Sequence, residues 1–167
     1  MTNETTQVAI IMGSDSDLPI VEAAFPILDS FEITFTKNVM SAHRTPHDVM
    51  ELIKNSEQNG CKVFIAAAGM AAHLAGAIAA HSSSPVLGVP SANSSLNGLD
   101  AILSTLQMPA GVPVATFAAG TAGATNAGIF AAQMLATSDA SMAEKMVEFK
   151  KELREKTIQK DKNLARD

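Results

Sequence analysis

Cysteine, aromatic residues and positive charge are all scarce in this chain of 167 residues. Cys61 is the only cysteine, which excludes an intramolecular disulfide and any multi-cysteine metal site, and we expect it to be a buried structural thiol. Because Trp and Tyr are absent, small and aliphatic side chains must fill the core. The net charge of −5 and the pI near 5.3 argue against nucleic acid as a partner.

Long hydrophobic runs are missing as well, apart from residues 63–80, where His73 is the only polar side chain. Most of this segment is Ala and Gly, whose transfer from water into the bilayer core gains little free energy. Gly69-Met70 divides the segment into a strand-like half and a helix-like half. We therefore predict a buried strand followed by a buried helix, and no membrane association. Residues 1–6 are polar and lack the basic start of a signal peptide, which predicts a flexible tail and a cytoplasmic protein.

The sequence does contain a regular alternation of short apolar runs and helical periodicity. The predicted strands are residues 8–12, 33–40, 63–67, 86–89 and 114–118, and the predicted helices are residues 17–31, 45–59, 71–81, 99–106 and 122–135. Strands that alternate with helices predict a parallel sheet covered on both faces. We expect one α/β domain over residues 1–167, a three-layer α/β/α sandwich of flavodoxin-like or Rossmann-like architecture.

Residues 140–162 predict a further, C-terminal amphipathic helix. Met142, Met146, Phe149 and Leu153 recur there at helical spacing among charged residues. This narrow apolar seam packs either on its own domain or on a neighbouring subunit. The Ala- and Gly-rich residues 122–128 leave the same alternatives open, a closely packed core or a subunit contact.

Three polar clusters follow the first three predicted strands, where open parallel sheets bind ligands. The first is Gly13-Ser14-Asp15-Ser16-Asp17, which either caps a helix or presents amides and hydroxyls to an anion. Asp17 is expected to be the N-cap or an acceptor for ribose hydroxyls. The cluster has neither Gly-x-Gly-x-x-Gly nor a phosphate-loop lysine, which disfavours dinucleotide and nucleoside triphosphate binding.

The second cluster is Ser41-Ala42-His43-Arg44-Thr45-Pro46. Histidine changes charge near neutral pH and can accept and return a proton, while arginine stays charged and suits phosphate or carboxylate. The alternative is a solvated His-Arg pair in a surface loop. Its position at a strand end, beside two other polar clusters, favours acid-base chemistry on an anionic substrate.

The third cluster is Gly69-Met70-Ala71-Ala72-His73-Leu74, whose histidine is either a satisfied core residue or faces a ligand. Because parallel strands end at one edge of a sheet, the three clusters together predict one small-molecule site. The four histidines form no His-Glu-x-x-His motif and no Gly-x-Ser-x-Gly occurs, so a zinc site and a serine hydrolase are disfavoured.

Six segments, in order along residues 8–136, resemble the PurE family of purine biosynthesis. They are Met12-Gly13-Ser14-Asp15-Ser16-Asp17, Ser41-Ala42-His43-Arg44-Thr45-Pro46, Ala71-Ala72-His73-Leu74, Pro85-Val86-Leu87-Gly88-Val89-Pro90, Gln107-Met108-Pro109 and Ala122-Gly123-Ala124-Thr125-Asn126-Ala127. The resemblance implies a flavodoxin-like fold and a homo-octamer whose active sites form where subunits meet. It also implies a ribonucleotide substrate and no metal, ATP or organic cofactor.

Within the family, the sequence resembles the mutase branch, which isomerises N5-carboxyaminoimidazole ribonucleotide to 4-carboxy-5-aminoimidazole ribonucleotide. The carboxylase branch is a lyase that adds free carbon dioxide to aminoimidazole ribonucleotide. It typically has Lys at the position of Arg44 and lacks Ala-Ala-His-Leu. The family commonly has Gly at the position of Met70 and Pro at that of Ala75. A non-catalytic nucleotide-binding module is a third alternative, which would leave His43 without a role.

The resemblance also implies a role for each site residue. Ser14, Ser41 and Arg44 would hold the 5′-phosphate, Asp17 the ribose hydroxyls, and His43 would be the catalytic proton carrier. The other residues expected to bind substrate are Gly13, Ser16 and Ala42, with a pocket for carbon dioxide formed by Ala68, Gly69, Ala71, Ala72, His73 and Leu74.

Overall fold

A computed structural model describes residues 5–164, and the sheet in this part of the chain has five parallel strands. They are β1 (Val8–Met12), β2 (Phe35–Val39), β3 (Val63–Gly69), β4 (Val86–Ser91) and β5 (Ala115–Thr116). Their order is β2-β1-β3-β4-β5, and each neighbouring pair is parallel. This is the flavodoxin-like order, so the predicted fold class is confirmed.

The first predicted helix, residues 17–31, is broken into four short helical pieces. The structure has a 3₁₀ turn at Asp15–Asp17, α1 at Leu18–Val21, a second 3₁₀ turn at Glu22–Ala24 and α2 at Phe25–Ser30. Pro19 and Pro26 each stand in the first turn of an α-helical piece. Because proline has no N–H to donate to the preceding turn, the helix restarts at each of them.

The remaining predicted helices form with small changes of boundary. They are α3 (Pro46–Gln58), α4 (Leu74–His81), α5 (Leu99–Leu106), α6 (Thr121–Ala136) and α7 (Ala140–Leu164). The prediction that α4 begins at residue 71 is wrong, because β3 extends to Gly69 and Met70 turns the chain with a φ of 55°. β5 is shorter than predicted and pairs with β4 alone.

Side chains of the sheet pack against helices on both faces. Ala9 and Ile11 of β1 belong to one buried cluster with Val49 and Ile53 of α3 and Ile78 of α4. Val8, Ile10 and Met12 alternate with them and are also buried, so they face the opposite side. This burial of both faces explains why β1, β3 and β4 are nearly continuous apolar runs in the sequence, whereas the edge strand β2 is more exposed and carries polar residues.

The opposite layer contains α6 and the α1–α2 segment in close contact. Thr125 Oγ1 lies 3.5 Å from the carbonyl of Ala23, and a Cβ on Gly128 would lie 3.3 Å from the side chain of Ile27. A Cβ on Gly123 would overlap the carbonyl of Ala118. The small residues of α6 therefore pack in a core, as one alternative predicted, while a subunit contact through them stays a prediction.

The chain divides into two compact units, one ending at Ala131 and the other beginning at Ala132. The first holds the sheet and Cys61, whose thiol is buried as predicted and donates to the carbonyl of Val63 at 3.3 Å. The second holds the end of α6 and the amphipathic α7, on which Met142 and Met146 are buried and Val147 is exposed. A single domain over the whole chain stays a prediction.

Two predictions concern the chain ends and the membrane. Residues 1–4 of the predicted flexible tail lie outside the described residues, while the carbonyl of Thr5 accepts a hydrogen bond from Thr34 Oγ1 at 2.6 Å. None of the helices within residues 5–164 combines the length and the apolarity needed to cross a membrane.

Candidate active site

A cavity of about 510 Å³ lies at the carboxyl ends of β1, β2, β3 and β4. Its volume falls within the range of small-molecule pockets. All predicted site residues except Ala72 line it, together with Met70 and Asn93. The lining residues are Gly13, Ser14, Ser16, Asp17, Ser41, Ala42, His43, Arg44, Ala68, Gly69, Met70, Ala71, His73, Leu74 and Asn93.

The loop after β1 is held by a reciprocal pair of hydrogen bonds. Ser14 caps the 3₁₀ turn by accepting from the backbone N–H of Ser16 at 3.3 Å, and its own N–H donates to Asp17 Oδ2 at 3.1 Å. This capping box fixes both side chains. Sequence reasoning expected Asp17 to be the N-cap or a ribose acceptor. Ser14 is the residue whose side chain caps the 3₁₀ turn. Asp17 stands at the N-cap position of α1 but makes no side-chain capping bond there, and its carboxylate accepts from the Ser14 N–H instead.

The loop after β2 brings a cation to the loop after β1. Arg44 Nη2 donates to the carbonyl of Gly13 at 2.9 Å, and the Arg44 N–H donates to Ser41 Oγ at 3.2 Å. Thr45 tightens the turn, because its hydroxyl donates to the carbonyl of Ser41 and accepts from the N–H of the same residue. The guanidinium therefore contacts the loop that carries Ser14 and lines the same cavity as Ser14 and Ser41, with most of its N–H groups left for an anion.

His43 and His73 form a direct imidazole pair across the cavity. His43 Nε2 lies 2.8 Å from His73 Nδ1, and the ring planes meet at 74°. Both side chains are exposed to the cavity rather than packed in the core. His73 is therefore not the satisfied core histidine that one alternative allowed. A distance of 2.8 Å between two ring nitrogens requires one hydrogen between them, so one ring donates and the other accepts.

The loop after β3 is braced by α5. The N–H of Ala72 donates to Ser104 Oγ at 3.2 Å, and Ser104 Oγ lies 3.3 Å from the carbonyl of Met70. Ala72 is buried and faces away from the cavity, which is why this predicted site residue does not line it. Ser104 is a supporting residue that sequence reasoning missed, because nothing in the pattern of α5 links it to a loop some thirty residues earlier.

Asn93 follows β4 and contacts the loop after β1. Its Nδ2 donates to Asp17 Oδ1 at 3.3 Å. Burial raises the pKa of the Asp17 carboxyl above its ordinary value, and the hydrogen bond from the Ser14 amide opposes that rise. Asn93 was not among the predicted site residues. It follows the fourth predicted strand, just as the three polar clusters follow the first three, so its position could have indicated it.

No group of three or more His, Cys, Asp or Glu side chains within the described part of the chain is arranged to hold a metal ion. Arg44 is the cation that lines the cavity, and Asp17 is the one lining carboxylate. With two imidazoles and three serine hydroxyls, the cavity can bind an anionic ligand and move a proton.

Comparison with known proteins gives a consistent result. The family model for AIR carboxylase matches residues 7–156. The N5-carboxyaminoimidazole ribonucleotide mutase of Thermotoga maritima is 47% identical over 158 residues, covering 95% of this chain and 91% of that protein. The phosphoribosylaminoimidazole carboxylase of Candida glabrata is 46% identical over 94% of this chain but only 27% of its own length.

Solved structures agree with the sequence comparison. Two crystal structures of PurE proteins from Treponema denticola match with TM-scores of 0.86 and 0.82, each at 28% identity. They cover 95% of this chain, and 97% and 98% of their own chains.

Met70 generates a prediction about stability. Its φ of 55° lies in the left-handed region, which costs an L-residue about 1–2 kcal/mol and a β-branched residue more. The side chain is 63% exposed, so little packing is lost on its removal. We expect Met70→Val to lower the free energy of unfolding by at least about 1 kcal/mol relative to Met70→Gly, measured by urea denaturation.

The matched control is Met50→Val. Met50 is also exposed but lies in the regular helix α3, so the same change there costs only a few tenths of a kcal/mol of helix propensity. If Met70→Val and Met50→Val lowered the free energy of unfolding by the same amount relative to the native protein, strain at Met70 would be contradicted.

Proposed function

This chain belongs to the AIR carboxylase family, and from that premise we propose that it is a mutase in purine biosynthesis. It converts N5-carboxyaminoimidazole ribonucleotide into 4-carboxy-5-aminoimidazole ribonucleotide, moving a carboxylate from the exocyclic nitrogen to a ring carbon. The observation that carries the proposal is the His43–His73 pair at 2.8 Å in one cavity with Arg44. A proton carrier beside a fixed cation suits an anionic substrate that must gain and lose one proton.

The 5′-phosphate is bound by Arg44, Ser41 and Ser14. Arg44 keeps most of its donors free while Gly13 anchors one of them, so the guanidinium is already oriented. Ser41 Oγ accepts from the Arg44 N–H and therefore has its own hydrogen to donate. Ser14 Oγ donates to Asp15 Oδ1 at 3.0 Å and can turn to the phosphate by rotation about one bond. Charge-assisted hydrogen bonds of this kind are the strong ones.

The reaction conserves its carboxyl group and its protons. The bond between nitrogen and the carboxyl carbon breaks as His43 donates a proton to that nitrogen, which leaves carbon dioxide and the aminoimidazole. The ring carbon then attacks the trapped carbon dioxide, and His43 removes the proton from that carbon to restore aromaticity. One residue acts first as acid and then as base, and returns to its starting state.

His73 is a positioning residue for His43 in this mechanism. Because His43 Nε2 is directed at His73, Nδ1 of His43 is the ring nitrogen that can face the substrate. When His43 is protonated, its Nε2–H donates to His73 Nδ1.

Confinement of carbon dioxide must supply much of the rate. General acid-base catalysis contributes about a hundred- to ten-thousand-fold, and orientation and exclusion of water contribute the remainder. Ala68, Ala71 and Leu74 line the same cavity as His73 and are the apolar wall that this mechanism requires. Such a wall has no donor or acceptor that competes for the carboxyl group, and it keeps water from the bond that re-forms.

The carboxylase reaction is the second candidate function, because a relative 46% identical to this chain carries that name. Incubation with N5-carboxyaminoimidazole ribonucleotide, and separately with aminoimidazole ribonucleotide plus bicarbonate, distinguishes the two. We expect product from the first substrate without added bicarbonate. Turnover only with aminoimidazole ribonucleotide plus bicarbonate would favour the carboxylase. No turnover in either reaction would favour a non-catalytic nucleotide-binding module.

His43→Asn is expected to lower kcat by about a hundred- to ten-thousand-fold, because amide groups do not exchange protons at neutral pH. Substrate affinity, measured by calorimetry, should change little. His73→Asn should lower kcat less and alter its pH profile, since the partner that orients His43 is lost. His47→Asn is the matched control, because His47 is exposed on α3 outside the cavity. Full activity of His43→Asn would contradict the assignment.

We also propose that the chain assembles as a homo-octamer with active sites where subunits meet. Four large leucines lie exposed on α5 and the turn before it, namely Leu96, Leu99, Leu103 and Leu106. Contiguous exposed apolar residues are typical of interaction surfaces. Light scattering should give a mass near eight times 17.4 kDa. A fully active monomer would contradict the proposal.

A further inference from the structure

Asn93 is a polar side chain of the cavity to which the proposed reaction gives no role. It lies after β4, is exposed to the cavity, and donates through Nδ2 to Asp17 Oδ1 at 3.3 Å. The orientation of the amide follows from its partner, because a carboxylate oxygen accepts and repels a carbonyl oxygen. The Asn93 carbonyl, Oδ1, therefore points away from Asp17.

The segment that carries Asn93 is held in place by its own hydrogen bonds. Ser94 Oγ donates to Asp100 Oδ1 at 2.7 Å and accepts from the N–H of Leu96 at 3.2 Å. A Cβ on Gly98, whose φ is 84°, would lie 2.9 Å from the Cα of Ala92. The loop is thus folded back against the residue that precedes Asn93. This close packing gives the amide a defined position beside Asp17.

The Asp17 carboxylate has acceptor capacity beyond its internal bonds. Ser14 donates to Oδ2 and Asn93 to Oδ1, while an ionised carboxylate has about four acceptor positions. Asp17 is only 3% exposed, so it can reach few ligand atoms by itself. Asn93 stands next to it with a free carbonyl. The two side chains therefore present neighbouring acceptors to the same part of the cavity.

The neighbouring acceptors of Asp17 and Asn93 are suited to a ligand that carries two adjacent hydroxyl groups. Each hydroxyl of a vicinal diol can donate one hydrogen bond, and one acceptor on each side chain satisfies both donors. We infer that Asn93 and Asp17 together recognise the ribose diol, so that Asn93 is a specificity-determining residue for ribosyl over deoxyribosyl substrates. This inference rests on the proposed function for the identity of the ligand.

The test measures binding without chemistry. Ribose 5-phosphate, its 2-deoxy and 3-deoxy forms, and inorganic phosphate are titrated calorimetrically into the native protein and the Asn93→Ala variant. We expect the native protein to prefer ribose 5-phosphate over at least one deoxy sugar by about three- to ten-fold, the equivalent of one hydrogen bond. Asn93→Ala should lose the preference over the deoxy sugar that lacks the hydroxyl bound by Asn93, keep any preference that Asp17 provides, and bind inorganic phosphate as the native protein does.

Two further variants separate recognition from a structural effect. Asn93→Asp keeps an acceptor oxygen but replaces the donor to Asp17 with a like charge, so it should also lose the preference for ribose. Ser95→Ala changes an exposed residue of the same loop outside the cavity lining and should behave as the native protein. Weaker phosphate binding in the Asn93 variants would indicate general damage and would overturn the inference.

The outcomes also distinguish this inference from the proposed function. If the native protein prefers ribose through Asn93 but does not isomerise N5-carboxyaminoimidazole ribonucleotide, only the mutase assignment is contradicted. A protein that isomerises the substrate while Asn93→Ala keeps every native preference would overturn the role of Asn93 alone.

Discussion

The site depends on the parallel register of the sheet. Met12 is level with Val39 of β2 and with Ala67 of β3, and Ala67 is level with Val89 of β4. Hydrogen bonds from Met40 to the Met12 carbonyl and from Gly13 to the Ala67 carbonyl continue these ladders into the loops. The loops therefore leave the sheet side by side. The buried apolar strands fix the spacing between the polar groups on these loops, which do not attract one another strongly.

Within that frame, each chemical group is oriented by a residue from a different strand end. Arg44 is fixed by Gly13, His43 by His73, and Asp17 by Asn93. The entropy of bringing these partners together is offset by packing of the core and not by the hydrogen bonds themselves, which each contribute only about 1 kcal/mol. Loss of one such partner should therefore disturb function more than it disturbs folding.

The sequence was sufficient to predict the sheet and most of the cavity. The alternation of strand-like and helix-like segments placed all five strands, and the predicted site residues at the ends of three of them line the cavity, apart from Ala72. The prediction of one helix over residues 17–31 was wrong because it rested on apolar periodicity, which does not register the breaks at Pro19 and Pro26. The contact between His43 and His73, and the bracing of Met70 by Ser104, could not be predicted, because they depend on side-chain positions that the alternation of strands and helices leaves open.

The proposed mechanism requires two environments in one cavity, and the order of the strands provides them. The loops after β1 and β2 supply hydroxyls and a guanidinium for the charged end of the substrate, whereas the end of β3, the loop after it and the start of α4 supply Ala68, Ala71 and Leu74. His43, from the loop after β2, and His73, from the loop after β3, contact each other and so join these two parts of the lining. A proton carrier there can reach the ring of a substrate anchored by its phosphate, while the apolar side holds the carbon dioxide that no polar group competes to bind.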